Sequence, residues 1–289
     1  MEKLRRTLLY IPGNNPAMIQ SAGFLGADFV VFDLEDAIPI NQKDSARILV
    51  KNALKSIDFN SVETMVRINS WGSGFTKKDL ESIIPSEPDI ILLPKAESKE
   101  DIEKVVRCIE LEEKKYNKKI PIDIFALIET PLGVINSLEI ACADKRMTGL
   151  QFGAEDFTAN IGTKRTKSGE ELFYSRSQII LACKAKGISA IDTPFVDIDD
   201  MEGLGKETEF VKQLGFDGKA VISPLHIDVV NEIFSPDERE VSWAKKVLNA
   251  FEKGEKEGKG AVSVDRKMVD APIAARARRI IEIAKRMAT

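Results

Sequence analysis

Two carboxylates stand at the ends of two apolar runs. Ile122-Asp-Ile-Phe-Ala-Leu-Ile-Glu-Thr-Pro-Leu-Gly133 ends its apolar stretch on Glu129, before a Thr-Pro stop. Leu150-Gln-Phe-Gly-Ala-Glu-Asp-Phe157 runs into a turn that carries Glu155 and Asp156. If the two runs are adjacent parallel strands, Glu129 and Asp156 point into one crevice at the strands' C-terminal ends. Two carboxylates that close raise one another's pKa or share a cation. A low count of hard oxygen ligands suits Mg2+, which keeps waters and takes further oxygens from a substrate. Either acid alone reads as readily as a helix N-cap or a solvated loop charge. The pair argues for a site because the same pattern recurs along the chain.

That recurrence identifies the elements. Eight short apolar runs end on Pro, a charge or a Gly turn: Thr7–Pro12, Phe29–Asp33, Glu63–Asn69, Asp89–Lys95, the two stretches above, Ser189–Pro194 and Lys219–Pro224. Most are continuously apolar and rich in β-branched residues, as strands buried on both faces must be. Between them lie helix-like segments at 16–23, 43–57, 98–118, 132–143, 175–187 and 201–214. Ser98 with Asp101 starts one helix in a capping-box-like way, and Gly187 and Gly215 stop two others. Strand and helix alternating eight times predict an α/β fold, the parallel (β/α)8 TIM barrel. In such a barrel the strand ends converge on one mouth, which would gather Asp33, Glu35, Asp36, Arg67, Asn69, Lys95, Glu129, Glu155, Asp156, Asp192, Ser223 and His226.

After the eighth run, residues 236–253 read as an amphipathic helix with Val241, Ala244, Val247, Leu248 and Phe251 on one face. Gly254-Glu-Lys-Glu-Gly-Lys-Gly260 reads as a flexible charged linker, followed by a short β-turn piece and a final helix from Pro272 to Met287. The predicted division is a barrel with its trailing helix over 1–253 and a linker with a C-terminal lid module over 254–289.

A chain of 289 residues suits a barrel, which runs to about 250 residues as one domain. The net charge of −4 leaves no basic footprint for nucleic acid. No apolar run approaches the roughly 20 residues that span a bilayer. Met1–Arg6 lacks the apolar segment of a signal peptide, and Cys108, Cys142 and Cys183 are too scattered for a disulfide framework or a zinc site. A reducing cytoplasm is the expected location. Lys164-Arg165 and Arg5-Arg6 favour a phosphate-bearing carrier, since phosphates need cations.

The motifs Arg5-Arg-Thr-Leu-Leu-Tyr-Ile-Pro-Gly13, Phe32-Asp-Leu-Glu-Asp-Ala37, Val66-Arg-Ile-Asn69, Leu93-Pro-Lys95, Ile128-Glu129, Asp156, Gly215-Phe-Asp-Gly-Lys219 and Lys267-Met-Val-Asp270 together resemble the CoA-ester lyases. This HpcH-HpaI aldolase-like family includes citrate lyase β subunits (citryl-CoA lyases) and the malyl-CoA and citramalyl-CoA lyases. The resemblance runs nearly end to end. Gly162-Thr163, Gly169 and Glu171-Leu-Phe-Tyr-Ser-Arg176 bring it nearest to the citrate lyase branch. It implies a (β/α)8 barrel with a C-terminal lid, usually in trimers. The implied partners are a CoA or acyl-carrier-protein thioester, neighbouring subunits in a homotrimer or hexamer, and citrate lyase α and γ subunits. The implied reaction is a reverse Claisen cleavage, giving oxaloacetate and an acetyl thioester from citryl-CoA. It also implies Mg2+ on Glu129 and Asp156, Arg67 against the oxo-acid or thioester oxygen, and Asp270 as a lid carboxylate. His226 stands where relatives more often carry Gln, and Ile191-Asp-Thr-Pro194 is nearer the stand-alone lyases, so the acyl group stays open among citryl, citramalyl and malyl.

The chemistry supports this independently. Breaking a carbon–carbon bond beside a tertiary alcohol requires the hydroxyl proton to be removed while an enolate leaves. A cation on the hydroxyl acidifies it, Arg67 can stabilise oxyanion charge, and a mobile Asp270 can move the proton once the site closes. Each has an alternative. Arg67 could be a barrel-interior salt bridge to Asp33 or Glu35, and Asp270 a helix N-cap before Pro272. Lys95 could form a Schiff base in another kind of aldolase; an electrostatic or salt-bridge role fits the acid pair better. His226, the only histidine, reads as a hydrogen-bonded rim residue. Other readings are a thioester hydrolase, an oxo-acid aldolase without CoA, or a non-catalytic subunit of a complex.

Overall fold

A computed structural model of the chain describes residues 4–117 and 121–287. Residues 1–3 of the N-terminal segment and Lys118, the expected end of one helix, lie outside them. The chain forms two compact units, one of Arg5–Asn231 and one of Leu4 together with the residues from Glu232 onward.

In the first unit each of the eight apolar runs is a strand: β1 Thr7–Pro12, β2 Phe29–Asp33, β3 Glu63–Arg67, β4 Ile90–Leu93, β5 Asp123–Ile128, β6 Met147–Phe152, β7 Ser189–Asp192 and β8 Gly218–Val221. All neighbours are parallel and follow sequence order, and β8 pairs back onto β1 through Thr7–Leu9 and Lys219–Val221 to close the predicted barrel. Leu8, Phe29, Val31, Met65, Ile90, Leu92, Phe125, Leu127, Ile191 and Ala220 form one buried cluster, with Tyr10 packed against it. Side chains alternate between the two faces of a strand. Two residues beyond the core positions Val31, Met65 and Leu127 stand Asp33, Arg67 and Glu129. The parity that builds the apolar core therefore aims three polar side chains into the barrel's C-terminal end. Leu92 in this core is fully buried, and cutting it to Ala would cost about 2–5 kcal/mol.

Arg5 closes the opposite end. Its guanidinium lies 5.1 Å from the ring centroids of both Phe29 and Phe125. It donates to Glu63 Oε2 at 3.1 Å, Thr148 O at 3.0 Å and Ser189 Oγ at 3.1 Å. Arg6 pairs with Asp28 at 2.8 Å. Both arginines lie at the strands' N-terminal ends, engaged with the barrel, so they do not supply the phosphate-binding cations expected of them.

The helices follow their caps. Ser98 accepts Asp101 N–H at the start of Lys99–Lys115. The helix expected over 132–143 is two short ones, Pro131–Ile135 and Ser137–Ala141, separated at Asn136, whose side chain donates to Glu97 O at 2.8 Å. Three helices among the described residues escaped the sequence pattern, Thr76–Ile83, Ala154–Asn160 and Ile227–Phe234; the second carries Asp156 in its first turn.

The second unit holds the helix Glu238–Lys256, the antiparallel pair β9 Val262–Val264 and β10 Lys267–Val269, and the helix Ala271–Met287. Its core is Ala244, Val247, Phe251, Val269, Ala274 and Ala277. The compact units thus divide at 231/232 and not at 253/254, because the apolar face of the helix predicted to trail the barrel packs on the C-terminal helix and hairpin. The expected linker is shorter too. The helix continues through Lys256, and a Cβ at Gly254 would collide with Val262 Cγ1. Gly254 lets the hairpin lie against the helix, leaving a turn of residues 257–261 as the connection.

Candidate active site

Three strand ends and two loops bring one cluster together. Arg67, the last residue of β3, donates from Nε to Asp33 Oδ1 at 2.7 Å and from Nη2 to Asp33 Oδ2 at 2.6 Å. This bidentate fork fixes the guanidinium plane. Its remaining nitrogen, Nη1, lies 3.2 Å from Glu35 Oε2 and 3.7 Å from Asp36 Oδ2. The ring of Tyr10 supports it, with Cζ 5.2 Å from the centroid. The salt bridge foreseen as the alternative for Arg67 is present, and its Nη1 edge also faces the loop acids.

The loop after β2 is held from outside the cluster. Buried Lys43 donates to Leu34 O at 2.8 Å and to Glu35 O at 2.6 Å. Asn69 donates from Nδ2 to Leu34 O at 3.0 Å and to Asp79 Oδ2 at 2.7 Å. Asn69 is therefore a brace for this loop. Glu35 is buried, and its Oε2 has no aligned hydrogen bond despite the nearby Arg67. Burial pushes its carboxyl up to about 6, against the pull of Arg67.

Glu129 sits one residue beyond β5 and is 4% exposed. Its Oε1 accepts the Lys95 N–H at 2.9 Å. A Cβ on Gly153, just past β6, would come within 2.8 Å of Glu129 Cβ and 2.9 Å of Oε2. Glycine at that position is what lets the β5 carboxylate lie against the end of β6. Burial, then the charges of Glu35 and Asp156, push Glu129 up to about 8. Asp156 completes the group from the next helix, with Oδ2 3.6 Å from Lys95 Nζ. Lys95 Nζ also lies 3.1 Å from Glu35 Oε1 and 3.7 Å from Asp36 Oδ1.

The cluster thus holds Asp33, Glu35, Asp36, Glu129 and Asp156 against Arg67 and Lys95. Among the described residues no three His, Cys, Asp or Glu side chains converge as a ready ligand set. A two-carboxylate site is nevertheless the kind Mg2+ uses. Burial first, and then the negative charges of Glu35 and Asp156, hold Glu129 up, and Glu35 Oε2 lacks an aligned donor; a cation would relieve the charge part of this. The donor chemistry therefore fits Mg2+ held by Glu129 and Asp156.

Other residues predicted to share the mouth are engaged elsewhere. Asp192 is fully buried and accepts from Arg176 Nε at 2.8 Å and Lys219 Nζ at 2.7 Å. Despite burial, these two cations hold its carboxyl below the usual range. Glu207 Oε1 accepts from both as well, at 3.0 and 2.6 Å. Arg165 joins this network, 3.4 Å from Glu207 and donating to Pro194 O at 2.7 Å, and it pairs with Glu155 at 2.9 Å. Arg165 is thus a structural latch, and of the four expected phosphate-binding cations only Lys164 stays exposed. Ser223 caps the short turn that contains His226. His226 is buried with Nε2 3.1 Å from Ile198 O, so it is an interior residue and not a rim one. Asp270 belongs to the second unit, where its Oδ1 accepts Ile273 N–H at 3.3 Å as a helix cap.

Tyr10, Gln151 and Lys43 were missed from sequence. Tyr10 donates to Gln151 Oε1 at 2.9 Å, and burial pushes its hydroxyl above the ordinary value, against Arg67. Its signal was available, since Tyr10 follows inward Leu8 by two residues. Lys43 carried no signal, being one lysine among many at a helix start.

The chain is similar to known proteins over nearly its whole length. The family model described as HpcH/HpaI aldolase/citrate lyase matches residues 6–224. The citrate lyase subunit beta of Leuconostoc mesenteroides subsp. cremoris is 42% identical over 98% of this chain and 94% of that relative. The mitochondrial citramalyl-CoA lyase of Homo sapiens is 34% identical over 97% of this chain and 85% of that relative. The crystal structure of CitE from Mycobacterium tuberculosis in complex with magnesium, acetoacetate and coenzyme A superposes with a TM-score of 0.79. It is 32% identical and covers 97% of this chain and 98% of its own.

Proposed function

The chain belongs to the HpcH/HpaI aldolase/citrate lyase family, and from that premise we propose a Mg2+-dependent carbon–carbon lyase. Its substrate is citryl-CoA, or citryl on an acyl carrier protein, cleaved to oxaloacetate and an acetyl thioester. The observation that carries the reading is the pairing of buried Glu129 with Asp156 beside an Arg67 already locked in plane by Asp33. Glu129 and Asp156 would hold the ion, which when bound acidifies a hydroxyl and polarises a carbonyl.

The chain's own residues do the rest. Arg67 offers its Nη1 edge to a substrate oxygen, where a fixed cation stabilises charge that grows in the transition state. The hydroxyl proton passes to a base, the bond between the carbinol carbon and the thioester's α-carbon breaks, and its electron pair becomes the thioester enolate. Protonation of that enolate gives the acetyl thioester, while the carbinol becomes the ketone of oxaloacetate. Asp270 is the proposed base, brought over the mouth of a neighbouring barrel by the C-terminal unit in a homotrimer or hexamer. Closure of such a lid would exclude water only when the thioester is bound. Citrate lyase α and γ subunits are the proposed further partners. The compartment is the cytoplasm, in keeping with the free thiols of Cys108, Cys142 and Cys183. No described helix is long and apolar enough to cross a membrane.

The likeness to a citramalyl-CoA lyase favours a second reading, the same cleavage on citramalyl-CoA. Release of oxo-acid and acetyl-CoA from citryl, citramalyl and malyl thioesters, with and without EDTA, separates the two. Full activity in EDTA, or hydrolysis without carbon–carbon cleavage, rejects both. The lid has its own check: mixing inactive Asp270→Ala with inactive Glu129→Ala subunits should restore part of the activity. Verified mixed oligomers that stay dead confine Asp270 to its own chain or to capping its helix.

A further inference from the structure

Lys95 follows β4 and Pro94 with a left-handed backbone, φ 53°. Few non-glycine residues adopt that conformation, and it tends to mark functional sites. Here the turn gives each end of the residue a task. The N–H donates to Glu129 Oε1 at 2.9 Å, and the side chain returns across the cluster to stand 3.6 Å from Asp156 Oδ2. One residue thus touches both carboxylates assigned to the metal, and any role it has there rests on that assignment. It touches them in opposite electrical senses. The N–H is a neutral dipole that a bound cation leaves in place. The ammonium is a full positive charge that a bound cation repels. The ammonium at the same time donates to Glu35 Oε1 at 3.1 Å and lies 3.7 Å from Asp36 Oδ1, and 38% of its side chain is exposed.

We propose that Lys95 is a positioning residue that sets metal affinity from both sides. Its backbone orients Glu129 toward the ion, while its ammonium competes with the ion for Asp156 and stays on Glu35 and Asp36 when the ion binds. Before binding, the ammonium keeps the carboxylates from driving one another apart. Afterwards its retained charge keeps affinity moderate.

Calorimetric titration with Mg2+ tests this on the full-length protein and on Lys95→Gly, Lys95→Met and Lys99→Met. Glycine accepts the left-handed turn without strain, so Lys95→Gly keeps the N–H on Glu129 and removes only the charge. Losing a unit charge about 4 Å from the site should tighten Mg2+ binding about fivefold or more, even with solvent screening. Lys95→Met should tighten it in the same direction, since it too removes the ammonium and keeps the N–H. Lys99→Met removes the same charge from the helix that follows and should leave affinity unchanged, which separates a local effect from net charge. Unchanged or weaker binding in Lys95→Gly overturns the inference while the metal site stands. A wild-type protein that takes no Mg2+ overturns both.

Discussion

The barrel carries two charged clusters built on opposite balances. Around β7 and β8, Arg165, Arg176 and Lys219 meet Glu155, Asp192 and Glu207 through aligned contacts of 2.6–3.4 Å. Cations and anions match in number, and the central members are buried. At the ends of β2, β3, β5 and β6, Asp33, Glu35, Asp36, Glu129 and Asp156 outnumber the cations beside them, Arg67, Lys95 and, behind the β2 loop, Lys43. Glu35 Oε2 has no aligned donor there, and Glu129 is pushed up to about 8. A matched network keeps its charges because each is already neutralised; it joins loops and needs no ligand. A mismatched one stores repulsion that a cation and a substrate relieve. Both clusters read alike in sequence, as acids and bases at strand ends, so balance is what tells scaffold from site.

Removal of one carboxylate from each cluster should separate them most sharply. Glu129→Ala should lower Mg2+-dependent turnover at least about a hundredfold, on the scale of losing one transition-state stabiliser. Its denaturation midpoint should hold or rise. Asp192→Ala leaves two buried cations sharing Glu207 Oε1 alone and should cost about 3–5 kcal/mol of stability in urea unfolding. A stable Asp192→Ala protein, or an unfolded Glu129→Ala one, would break the comparison.

A subtler change is Arg67→Lys. Lysine keeps the charge but cannot span both Asp33 oxygens while also facing the site. Turnover should fall by about 10–100-fold, as for loss of a supporting contact at a metal site, with little change in Mg2+ affinity. Near-normal kinetics would make Arg67 a scaffold residue like Arg176.

The smallest effect is a proton. In the metal-free protein Glu129 holds its proton to about 8, above its value of 4.5 in an unfolded chain. A raised folded-state pKa means the folded protein binds more protons between those limits, so metal-free stability should fall as pH rises from about 4.5 to about 8. Metal requires the carboxylate, so Mg2+ affinity should climb over the same range, with proton release at pH 7. Titrations in two buffers of different ionisation enthalpy would count that proton, and Glu129→Gln should flatten the stability profile. An unchanged slope in that variant would assign the titration to another group.

Much of this was legible before any coordinates. The strands were readable because buried parallel strands leave uninterrupted apolar runs, and the stop residues Pro12, Pro94 and Pro194 punctuate them. Inward aim is explained by parity once the core positions are known, since Asp33, Arg67 and Glu129 stand in step with Val31, Met65 and Leu127. What stayed hidden depends on partners far away in sequence. Nothing local says that Asp192 meets Arg176 and Lys219, that His226 turns inward to Ile198 O, or that Lys43 holds Leu34 O. Glycine counting also misled at Gly254, where the missing side chain serves a close contact with Val262 and not flexibility.

The closure of β8 onto β1 has a consequence for how the chain is made. One edge of β1 pairs with β2 early, but its other edge waits for Lys219–Val221. Arg5 waits almost as long, since Ser189 is among its acceptors. At about 5–20 residues per second on the ribosome, some 200 residues of synthesis separate the two halves of this seam, roughly 10–40 s. Throughout that interval the nascent chain displays an unpaired apolar edge, Leu8-Leu-Tyr-Ile11, of the kind that recruits other strands. Folding yield should therefore depend on translation speed and on chaperones that shield the first strand until the eighth emerges.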